Sequence, residues 1–287
     1  MREFWAVFRL ELRLLLRSWG IWVAGLVPLF FGVWEATMAR EFPFDAWSQF
    51  TVAVLFVTLI LTLTTGGQVT RDRDRHIDGV LLSTPATTQA YVWGKYLAAL
   101  VVLLGLAALM LPGAILMDRF TVLRDPPAVL GHSHYPSLGP WPYVSAWLIL
   151  VVVPIVFGAA LSLACVTLTH GQRVISSIVV IVLWLGPAML SSAFSGGLAT
   201  LFDVVGGTLY GSIANIPLPP SLQNIVYFST PVAPSPEIRA EVVRIVVAHL
   251  PPELPGIFTW NRALFVALAV ALALLTVRHV RAQRRGA

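Results

Sequence analysis

The chain has 287 residues, of which 57% are hydrophobic and only 11% charged, with a formal net charge of +5 and a mean hydropathy of +0.80. A water-soluble domain carries about 25% charged residues, so these values exclude one and describe a membrane protein. The single cysteine, Cys165, excludes an internal disulfide; within its apolar run it reads as a small buried residue.

In chain order, the first element is MREFWAVFRLELRLLLRSWG. On a helical projection Arg2, Arg9, Arg13 and Arg17 fall within an arc of about 80°, and Phe4, Phe8, Leu12, Leu15 and Trp19 fall on the opposite half. This pattern predicts a helix over residues 1–18 lying in the membrane interface. A spanning helix needs about 20 predominantly apolar residues. Stretches of that kind cover residues 19–38, 47–67, 91–117, 143–169, 174–194 and 260–277. The expected fold is therefore all-α: a single polytopic membrane domain over 1–287, with six transmembrane helices.

With the N-terminus in the cytoplasm, 13 of the 19 Lys and Arg residues fall on the inner side and six on the outer, as the positive-inside tendency requires. An even number of spans returns the tail RHVRAQRRGA to the cytoplasm. The positive charge is thus an orientation signal, and it offers no basic domain to a nucleic acid. Residues 195–259 form a long outer segment that holds nine of the 20 prolines between Pro217 and Pro255, too many for one straight span. Within it, Leu198–Ile213 reads as a re-entrant or interfacial piece. SPEIRAEVVRIVVAHLPP reads as a short helix capped by Ser235, with Pro236 and Glu237 in its first turn and an apolar stripe of Ile238, Val242, Ile245 and Val246. That stripe faces either the outer membrane surface or the other helices.

Several chemistries have no motif here. There is no G-x-x-x-x-G-K-[ST] phosphate loop, no H-E-x-x-H and no G-x-S-x-G, so the chain is not read as an enzyme, and no catalytic, cofactor or metal residue is assigned. His132 and His134 with Asp125 make too sparse a set for a metal. His170 and Arg173, in the HGQR turn, mark the cytoplasmic boundary. The centres of the six expected spans carry no ionisable residue, unlike proton-driven carriers. Glu35 and Arg262 lie near the outer ends of the first and last spans, where nothing in their spacing decides whether they pair.

The cytoplasmic segment 68–90 breaks this pattern. It holds six charges in eight residues, Arg71, Asp72, Arg73, Asp74, Arg75 and Asp78. Ile77, Val80 and Leu81 follow at i, i+3, i+4 spacing. Leu82, Ser83, Thr84 and Pro85 come next, with Thr84 and Pro85 expected to start the helix of the third span. A short helix of this kind is marginal alone; its stripe suits a partner's groove or the membrane surface, and the alternative is a solvated stop signal followed by a turn.

This segment resembles the cytoplasmic loop of ABC-2 type permeases, the membrane subunits of ATP-binding-cassette exporters. The resemblance rests on Leu81, Leu82, Ser83, Thr84 and Pro85, followed by Gly94, Lys95, Tyr96, Leu97 and Ala98. His76, Ile77, Asp78 and Gly79 depart from the family pattern, which has a Gly-Thr pair and a glutamate before the leucines. The resemblance implies a permease subunit of an exporter in a bacterial plasma membrane, with both termini cytoplasmic. It implies a second permease, identical or different, and a separate cytoplasmic ATPase that binds the ATP and Mg. The coupling element would be Ile77–Thr84, approached by Arg71–Arg75, with the interfacial helix as a second contact. The charge-free span interiors suit a lipid-like or amphipathic cargo. A membrane anchor that holds a soluble partner without transport is the competing reading.

Overall fold

Helices that are apolar on every side belong inside a bundle, and the segment VVPIVFGAALSLACVTL is one. In the computed structural model, which describes residues 2–41, 46–66, 87–124, 137–193, 197–207, 235–248 and 256–286, the described residues form eleven helices and no strand. They are α1 (Arg2–Leu16), α2 (Trp19–Glu41), α3 (Ala46–Thr65), α4 (Thr88–Ala108), α5 (Met110–Arg124), α6 (Pro140–Leu150), α7 (Val152–Leu168), α8 (Arg173–Ala193), α9 (Gly197–Phe202), α10 (Pro236–Ala248) and α11 (Gly256–Gly286).

Among the described residues, four helical stretches are long and apolar enough to cross a membrane: Trp19–Thr37, Thr88–Phe120, Pro140–Leu168 and Gly256–Arg285. Phe50–Thr65 and Arg173–Pro187 are shorter apolar stretches. In the third of the four, 78% of the most apolar 18 residues are buried within the protein, against 33–39% in the others, and α7, most of whose residues are buried, is the central helix. It lies against α11, α3, α4 and α8. Its run Gly158, Ala159, Ala160 and Ser162 allows close approach, as small residues do between membrane helices. Trp184 of α8 and Phe265 of α11 pack on Phe157 at ring-centroid distances of 5.8 and 5.1 Å. The periphery is apolar as well: Trp22, Leu26, Phe30, Val174, Ile178, Val182, Val270 and Leu274 are all exposed. An apolar surface of this extent belongs in lipid or against a partner.

Two stretches expected to be single helices are each broken in two. Residues 91–117 divide at Leu109, whose N–H turns back to the Leu106 carbonyl at 3.0 Å. Residues 143–169 divide at Val151. Proline explains both breaks: Pro112 and Pro154 lack the N–H that would bond four residues back. The disturbed regions are tied together by side chains. The Trp147 indole N–H donates to the Ala107 carbonyl at 3.0 Å, and the Tyr96 hydroxyl donates to the Val156 carbonyl at 3.1 Å. On α3, buried Thr58, Thr62 and Thr65 satisfy their hydroxyls on carbonyls of their own helix at 2.6–2.8 Å. Cys165 is buried, as expected.

Helices α2 and α5 cross with their backbones in close approach. A Cβ on Gly32 would lie 2.1 Å from the Met110 carbonyl oxygen, and one on Gly113 would lie 2.6 Å from that of Leu29. Both obstacles are backbone, so the helices would have to separate. Gly32→Ala is therefore expected to destabilise the protein by about 1–3 kcal/mol, the usual cost of overpacking. Gly105→Ala, with nothing within 4 Å of its Cβ, is the control. Thermal unfolding in mild detergent should show a lower midpoint for the first variant and no loss for the second.

Candidate functional site

The site begins where the described chain resumes after residues 67–86. Helix α4 starts at Thr88, with Thr87 as N-cap: its hydroxyl accepts from the Ala90 N–H at 3.3 Å. This start lies later than the Thr84–Pro85 expected from sequence. Thr87 holds the extended backbone that a cap needs, at φ −65° and ψ 142°, and its own N–H is fixed from elsewhere. That N–H donates to Glu3 Oε2 of α1 at 3.0 Å.

Two further contacts bind α1 to α4. Gly94 lets the backbones meet, since a Cβ there would lie 2.8 Å from Val7 Cγ1 and 3.2 Å from the Phe8 nitrogen. Next to it, Lys95 Nζ donates to Glu11 Oε1 at 2.5 Å, with side chains only 1% and 5% exposed. The ammonium also lies 5.1 Å from the centre of the Tyr91 ring, within cation–π range. Two charges this far from water are tolerated because each is paired. Glu3, Gly94 and Lys95 thus make one clamp that fastens α1 to the first turns of α4.

The interfacial-helix residues divide accordingly. Arg2, Arg9, Arg13 and Arg17 are exposed; Phe4 and Phe8 are half-buried. The two halves of α1 therefore differ in burial. Glu11 and Leu15 are buried, whereas Trp5, Leu10 and Leu16 remain exposed. Sequence reasoning missed Glu11. The available signal was a carboxylate in the middle of the apolar half of α1, a place that requires a buried cation. The expected coupling residues Arg71, Asp72, Arg73, Asp74, Arg75, Ile77, Asp78, Val80, Leu81, Leu82, Ser83, Thr84 and Pro85 lie outside the described residues, as do Asp125, His132 and His134.

A second polar constellation lies at the opposite end of the bundle. Helix α9 ends in a buried turn at Asp203, Val204 and Val205. Asp203 Oδ1 accepts from the N–H groups of Val205 at 3.1 Å and Gly206 at 2.7 Å. Asn261 of α11, itself fully buried, donates through Nδ2 to the carbonyls of Thr200, Leu201 and Asp203 at 2.7–3.1 Å. Arg262 Nη1 donates to the Val204 carbonyl at 2.9 Å, and its guanidinium stacks 4.3 Å from the Phe258 ring centre. Gly206, at φ +94°, takes a conformation few side chains tolerate, and a Cβ there would strike Arg262 Nη2 at 2.3 Å. Arg262 is thus engaged by the 197–207 segment. Glu35 is buried, and its Oε1 has no hydrogen-bond partner among the described residues.

Helix α10 forms where its caps predict. Ser235 Oγ accepts from the Ile238 N–H at 3.4 Å, and Val242 and Val246 are buried in the protein core. Glu241 and Arg244 pair on its exposed side at 2.6 Å, and that hydrogen bond lowers the Glu241 carboxyl below its usual range. At the other end of the bundle, His170 occupies the left-handed position that ends α7, at φ 54°. The Gly171 N–H closes the turn on the Val166 carbonyl at 2.9 Å, and the His170 ring lies 5.8 Å from that of His279.

No protein-family model matches this chain, and no curated protein matches it. The geometry of the chain therefore carries the functional argument.

Two outcomes follow. Lys95→Met alone leaves Glu11 buried without its ammonium and is expected to cost about 3–5 kcal/mol; Lys95→Met with Glu11→Leu should recover most of that loss in the same unfolding assay. Asn261→Leu strips three carbonyls of a shared donor. Amide exchange across 197–207 should accelerate, with a stability cost of about 1–3 kcal/mol, while exchange in α7 stays unchanged.

Proposed function

We propose that the chain is the permease subunit of an ATP-driven exporter of the ABC-2 type. In this reading it spans the membrane six times: α3 and α8 join the four longer stretches, and the termini and the 68–90 segment are cytoplasmic. A separate ATPase subunit binds ATP and Mg and receives Ile77–Thr84. A second permease, identical or different, completes the path. The membrane is a bacterial plasma membrane.

The observation that supports this reading is the clamp of Glu3, Gly94 and Lys95. A device that drives a membrane bundle from a cytoplasmic loop needs that loop to end on something stiff, because a soft joint would dissipate the motion in local bending. Residues 68–86 lead directly into Thr87, which is held to α1 and capped onto α4. From α4 the bundle continues to α7, against which it packs. A push delivered at the loop would thus move α1 and α4 as one body against the central helix. An anchor that merely holds a partner has no need for such a joint. The apolar surfaces of the bundle suit an amphipathic or lipid-like cargo, and they are compatible with a second permease.

The test is co-purification of the tagged full-length chain from its native membranes in mild detergent. The expected result is a stoichiometric soluble ATPase that is lost when Leu81 and Leu82 are both replaced by aspartate, while membrane insertion is unchanged. Absence of an ATPase, under conditions that preserve a known transporter complex, favours the anchor. An ATPase retained by the double variant removes Leu81 and Leu82 as its docking residues.

A further inference from the structure

Both carboxylates of α1 are committed to its α4 side. Glu3 accepts from the Thr87 N–H and Glu11 from Lys95. The charged residues left on the outward side of the helix are all cationic. Arg2, Arg9, Arg13 and Arg17 are exposed there, and none has a carboxylate partner among the described residues. Arg2 and Arg9 flank Trp5 and Ala6, and these four residues line an open recess of about 350 Å³. Trp5 is 48% exposed. Further along the same end of the bundle, Leu16 and Trp22 are exposed, and the Trp22 indole N–H donates to the Leu16 carbonyl at 2.8 Å, holding its ring at the start of α2.

Arginines suit phosphate, because their planar donor sets match its oxygens. Exposed tryptophan beside them suits the boundary between headgroup and acyl chain, where one part of the ring environment is apolar and the other wet. A solvated face would gain nothing from exposed Trp5 and Leu16. We propose that the recess of Arg2, Trp5, Ala6 and Arg9 binds the phosphate of an anionic phospholipid in the leaflet on which α1 lies. Arg2 and Arg9 hold the phosphate, Trp5 lies against the glycerol and upper acyl chain, and Arg13 and Arg17 extend the attraction along the surface. The lipid occupies the outward face of the same helix whose inward face closes the clamp, so it would steady α1 against the bundle. This inference rests on the membrane reading of the chain and is independent of the ATPase.

The test uses the full-length chain in neutral detergent, with thermal unfolding followed as dioleoylphosphatidylglycerol, dioleoylphosphatidylcholine or inorganic phosphate is added. The glycerol lipid should raise the midpoint, and the choline lipid and free phosphate should not. Each basic residue at an anionic lipid surface contributes roughly a fivefold factor in affinity. Arg2→Gln with Arg9→Gln should therefore weaken the apparent lipid affinity about 25-fold while leaving the midpoint without lipid unchanged. Trp5→Ala should weaken it with no change in charge, and Arg281→Gln with Arg285→Gln should leave it intact. An undiminished lipid response in the Arg2/Arg9 variant overturns the proposal. An equal response to inorganic phosphate overturns it in favour of a simple anion site. An undiminished lipid response combined with loss of a co-purifying ATPase assigns the face to the protein partner instead. Failure of the lipid effect would leave the Leu81/Leu82 co-purification result untouched, so the two readings fail separately.

Discussion

A chain surrounded by hydrocarbon has no water to satisfy its polar groups, and the polar groups that must be buried therefore have to find partners within the protein. That constraint accounts for most of the specific contacts in this structure. The buried threonines of α3 turn their hydroxyls onto their own helix. Tyr96 and Trp147 reach from one helix to a carbonyl of another near the two proline breaks. Asn261 serves three carbonyls at once, which lets the 197–207 segment bend inside the bundle. Apolar packing alone would leave many helix arrangements nearly equivalent, since lipid tails are as apolar as leucine. These polar contacts discriminate among them.

The Glu11–Lys95 pair is the most demanding case. Removing either charge would strand the other, whereas removing both would leave an ordinary apolar contact, so the pair is weak evidence for stability in itself. What it adds is position. A carboxylate fixed to one ammonium, with Gly94 beside it and Glu3 on the Thr87 N–H, allows α1 one register along α4. A helix held in one register also keeps one face outward, which explains how Arg2, Arg9 and Arg13 of α1, with Arg17 just past its end, come to share an uncompensated surface. The same clamp thus fixes the chain at Thr87 and keeps the cationic face turned away from α4.

The bundle also has a layered logic. Helix α7 is covered on nearly all sides and can be small and apolar throughout; α2 and α11 are covered on one side only and keep large apolar residues outward. A close crossing, at Gly32 and Gly113, joins α2 to α5, and both positions need glycine because the obstacle is a carbonyl of the facing helix. The charged contacts described lie near the helix ends, at Glu11–Lys95 on one side and at Asp203 and Arg262 on the other, whereas the hydrogen bonds of Trp147, Thr58 and Thr62 deeper in the bundle join neutral groups.

The all-helical class, the apolar stretches, the amphipathic first helix and the capped α10 were legible from the sequence. Each depends on local periodicity, on local end signals such as Ser235 and Pro236, or on composition. The two broken helices were half legible: Pro112 and Pro154 were visible, but a proline in an apolar run kinks a helix in one setting and divides it in another, according to what packs around it. The clamp and the Asp203–Asn261–Arg262 constellation were decided by tertiary structure alone. Glu11 and Lys95 are 84 residues apart, and Asn261 stands about 60 residues from the carbonyls it caps. Local pattern cannot rank such partners, because any buried carboxylate accepts any buried cation that geometry brings near. Glu35 and Arg262 illustrate this. As charges they matched on paper, yet Arg262 is held by the Val204 carbonyl and the Phe258 ring, since the fold places that segment beside it. Sequence alone determined which stretches are helical and apolar; the three-dimensional packing determined which polar groups meet.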